Sequence, residues 1–251
     1  MNIAAKDFFS ASWDTGRAWM HPMASVPHYP DYYEYDPMTP QHSPMMVPIR
    51  ALGPSHRERI ATHLLALDEH DRYLRFGYAA SDAQVLRYVE QLDFERDDIF
   101  GIYNRRLELI AMAHLAFSPS PEHKHCAEFG VSVLKKGRGR GFGARLFDRA
   151  VMHARNEGVD MVFIHALSEN AAMLKIARNA GARVERAGSE SEAYLQLPPA
   201  DMDSRMTEIV EDHFAEVDYS IKKQAVQFWQ FLAAVQEVRQ GMIDARHQSG
   251  Q

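Results

Sequence analysis

The chain of 251 residues has one cysteine, Cys126, and no run of about 20 apolar residues. A single cysteine cannot form an internal disulfide, and the apolar runs are too short to span a bilayer. The N-terminus also lacks the continuous apolar core of a signal peptide. We therefore expect a cytoplasmic protein that does not insert into a membrane.

An excess of positive charge is also missing, because 28 Lys and Arg residues stand against 34 Asp and Glu residues and the formal net charge is -6. General nucleic-acid binding requires a basic surface, so the composition argues against a nucleic-acid partner. The 13 histidines are scattered without the spacing of a zinc site, and we expect no metal. The 46% hydrophobic content is typical of a globular protein.

The chain divides into three parts. Residues 1–46 are punctuated by prolines, tyrosines and acidic residues without a helical or strand period, which predicts an irregular N-terminal arm. Residues 47–198 have the patterning of a globular domain. Residues 199–251 have apolar residues spaced by threes and fours, which predicts an amphipathic helical extension.

The globular part reads as a mixed α/β (α+β) domain. Two helices are expected to begin at the capping boxes Ser55/Glu58 and Ser81/Gln84, with residues 72–76 linking them. The predicted strands cover residues 47–52, 98–103, 107–117, 126–134, 159–166, 183–186 and 193–197. Further helices are predicted from residue 142 and over residues 171–180, so that strands 126–134 and 159–166 are joined by a helical crossover and pair in parallel.

The predicted strand at residues 126–134 has two unlike faces. One face is apolar, and the other is lined by small or polar side chains. The apolar face comprises Ala127, Phe129, Val131 and Val133, and the polar face comprises Cys126, Glu128, Gly130 and Ser132. The single carboxylate, Glu128, suits a cleft better than a contact with packed helices.

A glycine- and arginine-rich turn, GRGRGFG at residues 137–143, follows this strand and opens a helix. The first amide groups of a helix lack intrahelical partners, and glycines let a ligand approach the backbone closely. Arg138 and Arg140 add positive charge, so the turn is predicted to bind a phosphate-like anion. The turn also meets the dinucleotide fingerprint, but no acidic residue ends the next strand and an antiparallel hairpin precedes the turn, which disfavours a dinucleotide.

The pattern Arg138-x-x-Gly141-x-Gly143 at a strand-to-helix turn, with Asn170 and Gly181 further on, resembles the GNAT superfamily of acyl-coenzyme A dependent N-acyltransferases. The order of elements over residues 47 to about 198 is similar as well. The sequence segments AEFGVSV and YLRF, the latter at residues 73–76, are similar to segments in the branch that includes bacterial protein-lysine acetyltransferases. The resemblance implies a mostly antiparallel mixed sheet of six to seven strands flanked by helices, followed by a C-terminal helical extension.

The resemblance implies an N-acetyltransferase that moves an acetyl group from acetyl-CoA to a primary amine, either a small molecule or a protein lysine, by direct attack. The strand before the turn would splay from the next parallel strand to admit the thioester. Glu128 matches the family's usual carboxylate and is the implied general base, acting through water. The implied contacts to acetyl-CoA are Val133, Arg138, Gly139, Arg140, Gly141, Phe142, Gly143 and Asn170.

One position departs from the family pattern, because Ala177 stands where many members have a tyrosine that protonates the departing thiolate. The thiolate could leave unaided, Ser168 or Tyr194 could protonate it, or the domain could bind acetyl-CoA without turnover. The last possibility corresponds to a rival function, a non-catalytic acyl-CoA sensor or scaffold acting through the C-terminal helices.

The sequence leaves two interpretations open for several residues. Asn170 could contact acetyl-CoA or only cap a helix, and Arg75 could lie near a cleft or pair with an acidic neighbour. The histidines His114 and His165 are expected to be packed strand residues, and Cys126 an inert thiol. The C-terminal apolar stripe could pack on the domain core or seal a homodimer; it comprises Met206, Val210, Phe214, Val217, Ile221, Ala225, Phe228, Leu232 and Val235.

Overall fold

Seven strands form one sheet in the computed structural model, which describes residues 47–120 and 123–248, with the backbone alone for residues 187, 228–229 and 231–248. The strands are β1 (Arg50–Ala51), β2 (Asp98–Tyr103), β3 (Leu109–Phe117), β4 (Cys126–Val133), β5 (Met161–Leu167), β6 (Arg183–Ala187) and β7 (Glu190–Gln196). Their spatial order is β1-β2-β3-β4-β5-β7-β6. Only β4 and β5 pair in parallel, as the helical crossover between them requires. The predicted mixed, mostly antiparallel sheet is confirmed.

In the described part of the chain six α-helices accompany the sheet: α1 (Arg57–Leu65), α2 (Glu69–Phe76), α3 (Asp82–Glu90), α4 (Phe142–Asn156), α5 (Ala171–Asn179) and α6 (Met202–Gln248). Helices α1 to α3 lie on the side of the sheet that carries the polar face of β4, where His63 of α1 contacts the Ser132 hydroxyl. Helix α4 packs on the apolar face, where the Phe129 and Phe147 rings meet edge to face at 4.9 Å. The alternation read from the sequence of β4 is therefore confirmed. The N-terminal arm predicted for residues 1–46 lies outside the described residues.

One of the two predicted capping boxes before β2 is wrong. The capping box at Ser55 and Glu58 does not form, because a short 3-10 turn occupies residues 54–56 and the N-cap of α1, His56, makes no side-chain hydrogen bond with the helix. The second box is confirmed by reciprocal hydrogen bonds between Ser81 and Gln84.

The segment at residues 72–76 is not a linker but the second half of helix α2. Asp68 caps this helix by accepting a hydrogen bond of 2.8 Å from the amide of Asp71. Gly77, in the left-handed conformation with φ of 77°, ends it. Both residues were visible signals of a short helix.

Helix α6 contacts the domain through its polar side. The buried guanidinium of Arg149 on α4 binds Glu208 and Asp212 at 2.6 Å each, and Arg50 of β1 binds Glu216 at 3.3 Å. The prediction of one long helix is confirmed. Among the described residues, no helix combines the length and the apolar character that a membrane span needs.

The apolar stripe of α6 points away from these contacts. Five of its side chains, together with Met202 and Ile209 beside them, are 37% to 74% exposed. We call these seven the outer face of α6: Met202, Met206, Ile209, Val210, Phe214, Val217 and Ile221. Packing of the stripe on the domain core is thereby wrong for this part of the helix, because α6 contacts the domain through its other side, with ion pairs, the buried Ala215 and the Tyr219 ring.

Candidate active site

Strands β4 and β5 separate part-way along their length. They pair at only three positions, the last of which joins Glu128 to Phe163. Beyond that point β4 remains paired with β3 as far as Val133, and β5 remains paired with β7 as far as Leu167. The sheet therefore opens into a gap with Glu128 at its apex, and one backbone edge of β4 is left for an added strand-like ligand. This is the splay that the family resemblance implied.

The turn after β4 is built on two glycines with left-handed backbone. Gly139 and Gly141 have φ of 73° and 74°, and a Cβ atom on either would meet nothing within 4 Å. Their role is conformational freedom and not the relief of crowding. Gly141 is the N-cap of α4 and supplies no side-chain acceptor, so the first amides of the helix remain available to an anion.

Two further glycines of the turn are required by close packing. A Cβ atom on Gly143 would lie 3.2 Å from Cδ1 of Ile176, and one on Gly137 would lie 3.3 Å from the side chains of Val133 and Phe142. The turn is thus held against the end of β4 and against α5. We call residues 137–143 the cradle.

The cationic side chains at the cradle are tied to helix α2. Arg138 forms an ion pair with the nearly buried Asp71, and Nζ of Lys135 lies 2.6 Å from Oδ2 of Asp68. Arg140 lies over the Phe142 ring, 5.4 Å from its centroid. The tie to Asp71 was missed from the sequence, although the spacing of Asp68 and Asp71 at the start of a helix was a readable signal.

Glu128 is a buried carboxyl group, 6% exposed, and no described residue donates a hydrogen bond to it. Burial raises the pKa of Glu128 to about 8; the Arg75 guanidinium opposes this shift and the Glu192 carboxylate adds to it. A carboxyl group that titrates near neutral pH and accepts no hydrogen bond from the described part of the chain is suited to take up and release a proton.

Arg75 lies beside Glu128, on the same face of the sheet. Its Nη2 donates a hydrogen bond of 2.9 Å to the Tyr88 hydroxyl, which donates in turn to Nδ1 of His114 at 2.7 Å. Nε2 of His114 is 3.1 Å from Oδ2 of Asp97. Burial lowers the pKa of His114, consistent with a neutral imidazole that donates to Asp97. Of the two readings of Arg75, the structure supports the one that places it in the cleft.

The remaining predicted residues have other partners. Asn170 caps α5, where its Oδ1 accepts a hydrogen bond of 3.1 Å from the amide of Met173. The Ser168 hydroxyl donates to the backbone carbonyls of Gly188 and Glu190, at 3.2 and 3.0 Å. Asn170 is therefore a helix cap in this structure, and Ser168 is committed to the loop before β7.

Tyr194 shares the face of Glu128, and its hydroxyl donates to the carboxylate of Glu192. Burial, reinforced by Glu192, raises the pKa of Tyr194. Ala177 is fully buried in α5, so its position faces the interior. The Cys126 thiol has a pKa raised by burial and by Asp160, which keeps it protonated, as expected of an inert thiol.

The sequence was compared with models of known protein families. Residues 55–182 match the model of the Acetyltransferase (GNAT) family. The match spans just over half of the chain and includes the gap, Glu128 and the cradle. The chain belongs to the GNAT family. It is accordingly an acyltransferase, and members of this family use an acyl-CoA as co-substrate.

Solved structures agree with the GNAT fold. The GNAT domain of S. lividans PAT is 21% identical, with a TM-score of 0.52 over 59% of this chain and 89% of that one. A protein from Acinetobacter baylyi ADP1, described as a proposed acetyltransferase, is 16% identical, with a TM-score of 0.50 over 62% of this chain and 98% of that one. At these identities the likeness establishes the fold alone. No curated protein sequence matches the chain.

Proposed function

We propose that this GNAT protein transfers an acetyl group from acetyl-CoA to a primary amine by direct attack, with Glu128 as the general base. The observation that carries the proposal is the position of Glu128 at the apex of the gap between β4 and β5, as a buried carboxyl group to which none of the described residues donates a hydrogen bond. We also propose that the enzyme works in the cytoplasm and binds neither nucleic acid nor membranes, in keeping with its net charge of -6.

The residues of the gap and the cradle fit an acyl-CoA. The backbone amides of residues 138–143 would bind the pyrophosphate at the N-terminus of α4, and the side chains of Arg138 and Arg140 would add charge. The free edge of β4 up to Val133 would pair with the extended pantetheine arm. Open space around Gly139 and Gly141 leaves room for the phosphates. When bound, the co-substrate supplies a thioester as acyl donor.

Glu128 accepts the proton of the attacking amine, directly or through a water molecule. The amine nitrogen forms a bond to the acyl carbon, the carbon–sulfur bond breaks, and the sulfur leaves as thiolate. A thiol has a pKa of about 8.5, so the thiolate is a good leaving group without a dedicated acid. Ala177 cannot protonate it, and the hydroxyls of Ser168 and Tyr194 are engaged elsewhere.

The outer face of α6 favours an additional function as an assembly surface. Its seven side chains expose on the order of 700 Å², taking roughly 175 Å² for a fully exposed large apolar side chain. This approaches the roughly 800 Å² that each partner buries in a standard interface. The same apolar spacing continues to Val235, so two antiparallel copies of α6 would each cover the outer face of the other.

We infer a homodimer formed by these helices, and analytical ultracentrifugation tests it. The wild-type chain is expected to sediment as a dimer at about 10 µM, while the double variant Ile209→Asp/Val217→Asp sediments as a monomer. Arg205→Glu, on an exposed side of α6 beside the outer face, serves as the control and stays dimeric. A wild-type monomer at 100-fold higher concentration would contradict the dimer.

An acyl-CoA sensor or scaffold is the second candidate, because it too would use the outer face of α6. Release of free thiol from acetyl-CoA, measured with a panel of amines, separates the two functions. The enzyme releases thiol only when an accepted amine is present. A sensor binds acetyl-CoA in calorimetry but releases no thiol with any amine.

A further inference from the structure

The cleft holds a guanidinium and a carboxyl group that do not meet. Arg75 and Glu128 lie on the same side of β4, and the charge of Arg75 favours the ionised form of Glu128, yet among the described residues they form no ion pair within 4.0 Å. The position of Arg75 is therefore set by other contacts.

Arg75 is anchored from three sides. Its guanidinium packs against the backbone of Gly130, where a Cβ atom would lie 2.9 Å from Cζ and Nη2 of Arg75. The rings of Phe76 and Tyr88 flank it, with centroids 5.2 and 5.5 Å from Cζ. Its hydrogen bond to Tyr88 is backed by His114, so the guanidinium keeps its position.

The anchoring leaves Arg75 without a carboxylate within ion-pair distance among the described residues. Tyr88 takes one of its five N–H groups, and the carboxyl group on which Arg75 acts electrostatically is Glu128. A half-buried guanidinium of this kind, held in place with N–H groups to spare, is well suited to bind the carboxylate of a ligand.

We propose, on the basis of the proposed function, that the acceptor is a free α-amino acid, whose ammonium group meets Glu128 and whose carboxylate binds Arg75. In an α-amino acid the nitrogen and the carboxylate oxygens are about 3 Å apart, a separation that a base and a guanidinium that lie side by side can both reach. A polyamine or a peptide lysine carries no carboxylate beside its reactive amine and would leave Arg75 unpaired.

The step is balanced with the groups at hand. Glu128 takes a proton from the α-ammonium, and the freed nitrogen attacks the acyl carbon of acetyl-CoA. A carbon–nitrogen bond forms and the carbon–sulfur bond breaks. The products are an N-acetyl amino acid and coenzyme A, and the proton on Glu128 passes to solvent.

Matched pairs of amines test the proposal. Phenylalanine is compared with phenethylamine, leucine with isopentylamine, and lysine with cadaverine, within a panel of all common amino acids and one lysine peptide. For the accepted side chains, kcat/KM is expected to be at least about 100-fold higher for the amino acid than for its decarboxylated partner. Equal or higher rates with the decarboxylated amines or the peptide would overturn the proposal.

Variants assign the preference to Arg75. Arg75→Met is expected to lower the ratio of kcat/KM for the amino acid to kcat/KM for the decarboxylated amine about 100-fold, because the effect of the lost charge on the Glu128 pKa is common to both substrates. Tyr88→Phe keeps the packing but removes the anchoring hydrogen bond, and it should lower only the amino-acid rate, about 5-fold. Equal losses for both members of a pair would overturn the role of Arg75.

The two proposals fail in different ways. Transfer to cadaverine or to peptide lysine, with none to any amino acid, overturns the amino-acid acceptor and leaves the acetyltransferase intact. Transfer to no amine overturns both, and calorimetry then distinguishes a protein that binds acetyl-CoA from one that does not.

Discussion

The two halves of the candidate site are constructed in different ways. The cradle consists of seven consecutive residues, and the ligand groups we propose for it are backbone amides placed by left-handed glycines. The cleft around Glu128 combines side chains from α2, α3, β4 and β7, which together span more than 100 residues of the chain. In the roles we propose, co-substrate binding would depend on local backbone geometry, while proton transfer would depend on tertiary packing. Variants in the two halves should therefore fail in different kinetic parameters.

The largest effect is expected from Glu128→Gln. The amide cannot accept the proton, so kcat/KM for acetyl transfer should fall about 1,000-fold, within the range typical of a general base. Acetyl-CoA affinity, measured by calorimetry, should change less than about 3-fold because the cradle is untouched. Activity unchanged by this variant would refute the role of Glu128 and remove the distinction between the two halves.

A smaller effect should come from the backbone of the cradle. Gly141→Val forces a β-branched residue into φ of 74°, so the turn should rearrange and the affinity for acetyl-CoA should fall about 100-fold. The matched control is Gly158→Val, which imposes the same strain at φ of 79° after α4, away from the cradle. If both variants bind acetyl-CoA equally well, the cradle does not bind the co-substrate.

A side chain of the cradle should matter less than its backbone. Arg138→Met should weaken acetyl-CoA binding about 10-fold, because its half-exposed guanidinium is shared with Asp71. The loss should shrink in calorimetry at high salt, where charge attraction is screened. Arg105→Met, in the exposed turn between β2 and β3, is the control. A loss greater than that of Gly141→Val would reverse the proposed ranking of backbone over side chain.

The smallest expected effect is on stability. Replacing Glu128 in the cleft should raise the melting temperature at high pH, whereas a cradle variant should not. The folded pKa of Glu128, about 8, lies above its ordinary value of 4.5, so the folded state holds a proton that the unfolded state releases as pH rises through this range. Stability from this group is present below pH 4.5 and is lost as pH rises to about 8. Glu128→Gln has no such loss.

The Glu128→Gln variant should therefore melt at least about 3 °C higher than wild type at pH 8, with the gain shrinking toward pH 5. Thermal melts over this pH range measure the difference. A gain that does not grow with pH would mean that Glu128 is not held in its protonated form. Because Gly141→Val keeps Glu128, the difference between its melting temperature and that of the wild type should not depend on pH.

The cradle and Glu128 could be predicted from the sequence because both rest on local signals. Glycine spacing predicts the turn, and alternation along β4 predicts the face on which Glu128 lies. The anchoring of Arg75 could not be predicted once residues 72–76 were interpreted as a linker. Its partners, Tyr88 and His114, are 13 and 39 positions further along the chain, and no periodicity joins them.

The orientation of α6 shows a second limit. Spacing by threes and fours indicates which residues share a stripe, but not what the stripe faces. That choice depends on the buried guanidinium of Arg149, whose ion pairs with Glu208 and Asp212 hold the polar side of the helix against α4. The side of α6 that pairs with the buried Arg149 faces the domain, and the apolar side does not; periodicity alone cannot predict which of the two sides is buried.

The pH dependence of kcat/KM for acetyl transfer tests the central claim most directly, because it reports the ionisation of the essential base in the free enzyme. Wild-type activity should rise with pH and reach half its plateau near pH 8, the pKa that burial gives Glu128. The residual activity of Glu128→Gln should lack this rise. An identical rise in both proteins would show that another group takes the proton and would contradict the account.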